Sequence, residues 1–204
     1  MWYDAYPAQI EALEQAAHKF YRLRYQMGDG GNLSVRVPDK PLMIVKGTDV
    51  SFEEVSAKAL VLCDFDGNVQ AGDIRPSKEA LLHGALYRCL PEIGAIMHCH
   101  SPWATAWAAS HEELAFSTHH ADMKLFQQVP VFDTHSYAVP KEFFPQITGY
   151  FQNNPQRNAF LLRMHGQVTM AKDMRKAAYL AELVEETAQI AILSGLCAGE
   201  GKKD

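Results

Sequence analysis

Hydrophobic positions recur at steps of three and four residues near the start of the chain, as they do on the buried face of a helix. The pattern runs over residues 8–27 and is carried by Ile10, Leu13, Ala17, Phe20 and Leu23. It stops at a glycine-rich turn in residues 28–31, where the backbone needs conformations that most residues rarely adopt. We therefore predict an amphipathic helix that ends just before residue 28.

Short apolar runs further along the chain predict strands. They cover residues 32–37, 42–45, 60–65, 94–98, 129–132 and 160–163. The pair Asp66-Gly67 directly after the third run is typical of a hairpin turn.

Longer patterned segments between these runs predict helices. The helices are expected from Ser77, as N-cap, to residue 90, from Pro102 to residue 109, and over residues 141–151 and 175–196. The combination indicates a single α/β or α+β domain over residues 1–204, with mixed or antiparallel strands. The tail, residues 199–204, is expected to be frayed.

Composition and charge exclude several classes of protein. The 204 residues are 48% hydrophobic and 21% charged, which is typical of a globular protein. A net charge of −5 argues against a nucleic-acid partner, and no apolar run approaches the ~20 residues that span a membrane. The first residues lack the basic and apolar regions of a signal peptide, so we expect a cytoplasmic protein. The four cysteines form no C-x-x-C pair and suggest neither disulfides nor a zinc knuckle.

Three histidines carry the strongest chemical signal. His98 and His100 are two residues apart at the end of a predicted strand, so their side chains lie on one face and can converge on one ion. His165 follows another predicted strand and precedes Gly166. Three protein ligands that leave one position open are the catalytic pattern for zinc. Taken alone, the His-x-His pair is also compatible with two histidines that make ordinary hydrogen bonds.

Five short motifs follow one another along the chain, and two of them contain these histidines. The motifs are Gly31-Asn32-Leu33-Ser34-Val35-Arg36, Val45-Lys46-Gly47-Thr48, Pro76-Ser77-Lys78-Glu79, His98-Cys99-His100-Ser101 and His165-Gly166. Through them, over residues 20–193, the chain resembles the class II aldolase/adducin family. The resemblance implies a three-layer α-β-α sandwich around a mainly antiparallel or mixed sheet. It also implies one divalent metal per subunit on the three histidines, usually zinc and sometimes manganese.

Several residues could recognise a phosphate group. Gly30 and Gly31 would let the backbone approach an anion, and a helix starting at Ser77 would offer free N–H groups and the positive end of its dipole. A glycine turn, an N-cap and two solvated lysines would explain the same residues without any ligand. The resemblance implies that the substrate phosphate is surrounded by Asn32, Lys46, Thr48, Ser77 and Lys78. The chain departs from the family at Asp49, where glycine is usual, and at Lys78, where many members have a second serine.

Glu79 is the first candidate for acid–base chemistry. It follows Ser77 by two residues, in the first turn of the predicted helix, where a carboxylate can simply compensate the helix dipole. The resemblance implies that Glu79 is the acid–base group instead, close to the metal and able to ligate it.

A second candidate region is Thr118-His119-His120-Ala121-Asp122. No tyrosine occurs in residues 88–136, so the tyrosine proton donor of aldolases in this family is not evident. The His-Ala-Asp stretch is similar to that of the family's sugar-phosphate 4-epimerases. His119, His120 and Asp122 are therefore candidate proton carriers.

The resemblance implies metal-dependent cleavage of a small phosphorylated ketose to dihydroxyacetone phosphate and an aldehyde, through a metal-stabilised enediolate. Epimerisation, dehydration and decarboxylation within the same family are alternatives, and so is a binding module like the adducin head, which lacks the metal site. The family also implies a homotetramer with active sites at the subunit borders. Phe116, Leu125 and Phe126 around the 118–122 segment would suit such an interface, although a solvated loop would explain them too.

Overall fold

A nine-stranded sheet forms the centre of the part of the chain that the structure describes. In a computed structural model this part comprises residues 1–116, 118–126 and 128–200. The strands are β1 Asn32–Arg36, β2 Leu42–Lys46, β3 Leu60–Asp64, β4 Val69–Ala71, β5 Ala95–Cys99, β6 Glu113–Leu114, β7 Val129–Phe132, β8 Ala159–Leu162 and β9 Gly166–Ala171. Their order in the sheet is β4-β3-β2-β1-β5-β9-β8-β7-β6. Neighbours are antiparallel except β7 and β8, which are parallel.

Helices cover both faces of this sheet. They are α1 Pro7–Arg22, α2 Ala80–Cys89, α3 Pro102–Ala108, α4 His119–Leu125, α5 Phe144–Asn153 and α6 Met174–Glu200. Along β2, Ile44 belongs to the core shared with α1 and α6, whereas Met43 and Val45 belong to the core shared with α2 and α5. This alternation is what a strand buried on both faces requires. The expected three-layer α-β-α sandwich around a mixed sheet is confirmed.

Some elements differ from the sequence-based prediction. The helix expected from Ser77 begins at Ala80, because residues 76 and 77 are held in a bridge and hydrogen bond to the end of β2. β9 was not predicted because its buried polar residues, Gln167 and Thr169, mask the apolar pattern. The Gln167 Nε2 and the Thr169 hydroxyl donate to backbone carbonyls of α6, so both buried donors are paired in the core.

Three further differences concern α4, the start of α5 and the end of α6. The candidate segment 118–122 forms the start of α4, with the Thr118 hydroxyl accepting from the Ala121 N–H at 3.1 Å. The helix expected over 141–151 begins with a 3-10 turn, Lys141–Phe143. The last helix continues through Glu200, and residues 201–204 of the predicted frayed tail lie outside the described residues.

No helix in the described part of the chain combines the length and apolar composition needed to cross a membrane.

Candidate metal centre

β5 delivers two of the three candidate histidines. It lies between β1 and β9, with His98 paired to Asn32 on one side and to Val168 on the other. His98 is almost fully buried, and His100 follows one residue after the strand ends. Because the two residues share one face, their ring centroids are 4.9 Å apart.

The turn between β8 and β9 delivers the third histidine. Leu162 and Gly166 form the last pair of this hairpin, so His165 lies in a tight three-residue connection. The centroid of its ring is 4.8 Å from that of His98 and 4.8 Å from that of His100. One ring nitrogen from each of the three residues lies within 4.8 Å of the others. Segments distant in sequence thus meet at one point.

The donor set fits a transition-metal ion. The Nε2 atoms of His98 and His100 are 3.2 Å apart. Two nitrogens bound at ~2.0–2.1 Å to one tetrahedral ion would be about 3.3 Å apart. Nδ1 of His98 lies 2.9 Å from the Gln167 carbonyl oxygen, which leaves Nε2 to face the other rings. Nδ1 of His165 is buried and has no hydrogen-bond partner among the described residues, an arrangement that is costly without a ligand.

The protonation of two of the histidines also suits metal binding. Burial lowers the pKa of His98 to about 3, with the neighbouring His165 as a further cause. Burial likewise lowers the pKa of His100 to about 3, followed by the effect of His98. Since a histidine must be neutral to bind a metal, both rings are in the binding form at neutral pH.

Glu79 reaches the same cluster from the start of α2. Its Oε2 lies 3.1 Å from Nε2 of His98 and accepts a hydrogen bond of 2.9 Å from the Asn32 amide. Oε1 is buried and has no partner among the described residues. One oxygen is therefore fixed by the protein, while the other is a buried acceptor that no described group satisfies.

A row of polar side-chain contacts fixes the position of α2 relative to β1. Ser34, two residues after Asn32, places its hydroxyl 2.8 Å from Nδ1 of His83 and 2.9 Å from the Tyr87 hydroxyl. Glu79, His83 and Tyr87 are four residues apart and share one helix face. The sequence analysis missed Ser34 and His83 as site-supporting residues. Polar residues at alternate positions of a buried strand are the signal that could have identified them.

The predicted phosphate residues are brought together only in part. The end of β2 pairs with the segment before α2, with the Ser77 N–H donating to the Lys46 carbonyl at 3.0 Å and the Thr48 N–H to the Arg75 carbonyl at 2.9 Å. Thr48, Lys46 and Ser77 therefore lie on adjoining backbone. Asn32 instead contacts Glu79.

The two lysines of the predicted phosphate group have different environments. Lys46 is buried, and its ammonium donates to the carbonyl oxygens of Asp29 and Val50. Burial lowers its pKa to about 8, although nearby Asp29 opposes this. Lys78 is exposed. Lys46 therefore ties the 28–31 loop to the loop after β2, a structural role that the sequence analysis did not anticipate.

Asp49, the departure from the family's glycine, has a simple backbone explanation. Its φ angle is 56°, in the left-handed region where glycine is favoured and aspartate is among the better tolerated alternatives. Its side chain is exposed. The position thus requires a positive φ angle, which glycine adopts easily and which Asp49 adopts here.

The candidate proton carriers of α4 do not join the metal cluster of their own chain. His119, His120 and Asp122 are exposed. His120 lines a groove of about 970 Å³ together with Ala171 and Lys172. These two residues are at the far end of β9 from His165, about 16 Å along the strand at the usual rise per residue.

Comparison with known proteins shows the family of this chain. The family model described as "Class II Aldolase and Adducin N-terminal domain" matches residues 11–192. The chain belongs to this family. Its histidine triad and the enzymes to which the chain is similar place it among the enzymes of the class II aldolase superfamily.

Individual relatives include a decarboxylase and solved structures of the same fold. The chain is 34% identical over 191 residues to the 3-oxo-tetronate 4-phosphate decarboxylase of Haemophilus influenzae, covering 90% of this chain and 86% of that protein. YgbL from Klebsiella pneumoniae is 29% identical with a TM-score of 0.82, over 93% of this chain and 90% of that one. The l-fuculose-1-phosphate aldolase of Thermus thermophilus has the same TM-score of 0.82 at 22% identity, over 94% and 96%, and supports the fold alone.

Proposed function

We propose that this chain is a metal-dependent lyase that decarboxylates a small phosphorylated 3-oxo acid of the 3-oxo-tetronate 4-phosphate type. The observation that carries the proposal is the meeting of three histidines with one carboxylate, Glu79, whose second oxygen is unpartnered among the described residues. The 34% identity to a decarboxylase over most of both chains supports the choice of this reaction.

The chemistry of such a substrate needs an electron sink and one proton. Zinc, or manganese as the alternative, would be held by His98, His100 and His165 and would supply a Lewis acid at the C3 ketone. The C1–C2 bond breaks, C1 leaves as carbon dioxide, and the electron pair of the bond stays with C2 in conjugation with the ketone. C2 then takes up one proton, and dihydroxyacetone phosphate results. We assign the supply of that proton to Glu79, because its Oε2 lies 3.1 Å from Nε2 of His98.

The number of proton carriers favours decarboxylation over aldol cleavage. Aldol cleavage of a ketose 1-phosphate gives the same dihydroxyacetone phosphate, but a base must also remove the hydroxyl proton of the fragment that becomes the aldehyde. Among the described side chains, Glu79 is the carboxylate in contact with the triad, and the candidates on α4 are elsewhere. One carrier is sufficient for decarboxylation.

Aldol cleavage, the reaction predicted from the sequence, remains the second candidate. The observation in its favour is the exposure of His119, His120 and Asp122 at the start of α4, where they are available to a neighbouring copy. In the predicted homotetramer they would reach the neighbour's metal centre and provide the missing base. The tetramer and the other family reactions, epimerisation and dehydration, stay predictions.

Recognition of the phosphate is proposed at the paired backbone after β2. Thr48 and Ser77 offer hydroxyls, and the turn before α2 carries the exposed ammonium of Lys78. Asn32 and Lys46 would contribute indirectly in this arrangement, because Asn32 holds Glu79 and Lys46 anchors the 28–31 loop.

A substrate panel tests the proposed reaction. The zinc-loaded protein is incubated separately with 3-oxo-tetronate 4-phosphate, ketose 1-phosphates and pentulose 5-phosphates, and carbon dioxide, aldehyde and dihydroxyacetone phosphate are measured. We expect one equivalent of carbon dioxide per dihydroxyacetone phosphate from the oxo acid, and no aldehyde from the ketoses.

A triple variant with alanine at positions 119, 120 and 122 serves as the control. It should keep the decarboxylation rate, since that reaction does not use α4. Release of an aldehyde from a ketose phosphate, together with its loss in the triple variant, would contradict decarboxylation and establish aldol cleavage with a carrier on α4.

A further inference from the structure

The end of α1 is shaped to place one particular side chain against the metal centre. The helix is followed by Leu23 and then by Arg24, whose φ angle of 59° reverses the chain. The Arg24 N–H donates to the Tyr21 carbonyl at 2.9 Å, and the Tyr25 N–H to the Phe20 carbonyl at 3.0 Å. This pair of bonds is the Schellman motif, and its usual apolar contact is present because the rings of Phe20 and Tyr25 are 5.6 Å apart. The next residue, Gln26, is thereby turned into the protein.

Gln26 bridges two backbone segments of the site. Its side chain is 1% exposed. Oε1 accepts a hydrogen bond of 2.8 Å from the backbone N–H of His100, and Nε2 donates one of 2.8 Å to the Met27 carbonyl. Both polar groups of a buried amide are thus used.

The contact with His100 matters because that residue lies beyond the sheet. The last residue of β5 is Cys99, which is also the last to pair with β9. The backbone N–H of His100 therefore has its partner in a side chain, not in a neighbouring strand. Without Gln26, the backbone N–H of His100 would have no hydrogen-bond partner in the sheet, and the backbone of this candidate ligand would be less well fixed.

The glycine turn packs around the same amide. A Cβ on Gly31 would lie 2.4 Å from Oε1 of Gln26 and 2.9 Å from the His98 carbonyl oxygen, and the φ angle of Gly31 is +61°. A Cβ on Gly30 would lie 2.9 Å from both Nδ1 and Cε1 of His100. The 28–31 turn, Gln26 and the imidazole of His100 are therefore in close contact, which restricts where that ring can lie.

We propose that Gln26 is a positioning residue of the metal centre, which fixes His100 through the hydrogen bond from the His100 N–H to its Oε1. The inference rests on the metal centre of the proposed function, and it does not depend on which reaction the centre performs. Partners of metal ligands generally contribute about 10–100-fold to affinity. Gln26 does not touch substrate or metal in this role.

Zinc affinity of matched variants tests the proposal. The protein is stripped of metal, and its Kd for Zn²⁺ alone is measured by competition with a chromophoric chelator. Gln26→Met keeps the length of the side chain but has no acceptor, and we expect its Kd to rise by about 10–100-fold. Gln26→Glu keeps the acceptor for the His100 N–H and should bind Zn²⁺ at least as tightly as the unmodified protein.

A purely structural role would give a different pattern. Urea unfolding would show a loss of stability in Gln26→Met, while the Kd for Zn²⁺ stayed at the wild-type value, and that result overturns the proposal. If Gln26→Met does not fold, Gln26→Asn replaces it, because the shorter amide withdraws the acceptor from the His100 N–H and should also weaken binding. Wild-type affinity in that variant overturns the proposal as well. A wild-type protein that binds no Zn²⁺ would overturn the metal centre and this inference together.

Discussion

The variant His100→Ala is expected to lose catalytic activity and its metal while remaining folded. Loss of the Lewis acid removes several kcal/mol of stabilisation from the transition state. Since each ~1.4 kcal/mol is a factor of ten, kcat/KM should fall by roughly 10³-fold or more. The side chain is half-buried, directly follows β5 and is not part of an apolar core cluster, so the secondary structure should persist. Steady-state kinetics, elemental analysis and circular dichroism measure the three effects.

His111→Ala is the matched control for that experiment. His111 is exposed and stacks on Trp107, with ring centroids 3.7 Å apart, away from the triad. The activity and metal content of the His111→Ala variant should equal those of the unmodified protein. If His100→Ala kept both its metal and its turnover, the triad would have no part in the function.

Glu79→Gln should separate proton transfer from metal binding. Glutamine can still accept the hydrogen bond from Asn32, so the side chain keeps its place at the cluster. It cannot deliver a proton, and we expect kcat to fall by roughly 10²–10⁴-fold. Metal content should be unchanged, and the free energy of unfolding should change by no more than ~1 kcal/mol.

An exposed carboxylate provides the comparison. Glu11 on α1 is exposed and accepts a hydrogen bond from the Gln15 side chain on the same helix. Glu11→Gln should leave kcat unaltered. Near-normal turnover in Glu79→Gln would remove Glu79 from the mechanism and require another proton source.

The two residues found from their spacing alone are those whose geometry is local. His98 and His100 share a face because side chains alternate along a strand, whatever the rest of the fold does. The family motifs then identified His165 and Glu79, and the family and fold class are confirmed. The structure brings these four side chains together.

The residues that were missed depend on contacts between distant segments. Gln26 acquires its place only when the end of α1 meets the end of β5, 74 residues later in the chain. The start of α3 was predicted from Pro102, but its N–H groups at Trp103 and Ala104 are capped by the buried Glu185 of α6. Nothing in the local pattern around either residue indicates such a partner.

Lys46 makes tertiary contacts that the local sequence does not reveal. A lysine beside a phosphate motif suggests a direct anion contact. In the fold, the side chain is buried, and backbone carbonyls of two loops accept from its ammonium group. The local sequence does not specify that the 28–31 turn and the loop after β2 would converge on it.

X-ray absorption spectroscopy of the zinc-loaded protein tests the central claim most directly. It measures which atoms surround the ion, independently of any substrate or reaction. The proposed centre predicts three imidazole nitrogens at about 2.0–2.1 Å, with the remaining shell made of oxygen. In His100→Ala the imidazole contribution should drop to two or disappear with the metal. A shell containing cysteine sulfur at about 2.3 Å, or one of oxygen atoms without imidazole, would contradict the metal centre at His98, His100 and His165.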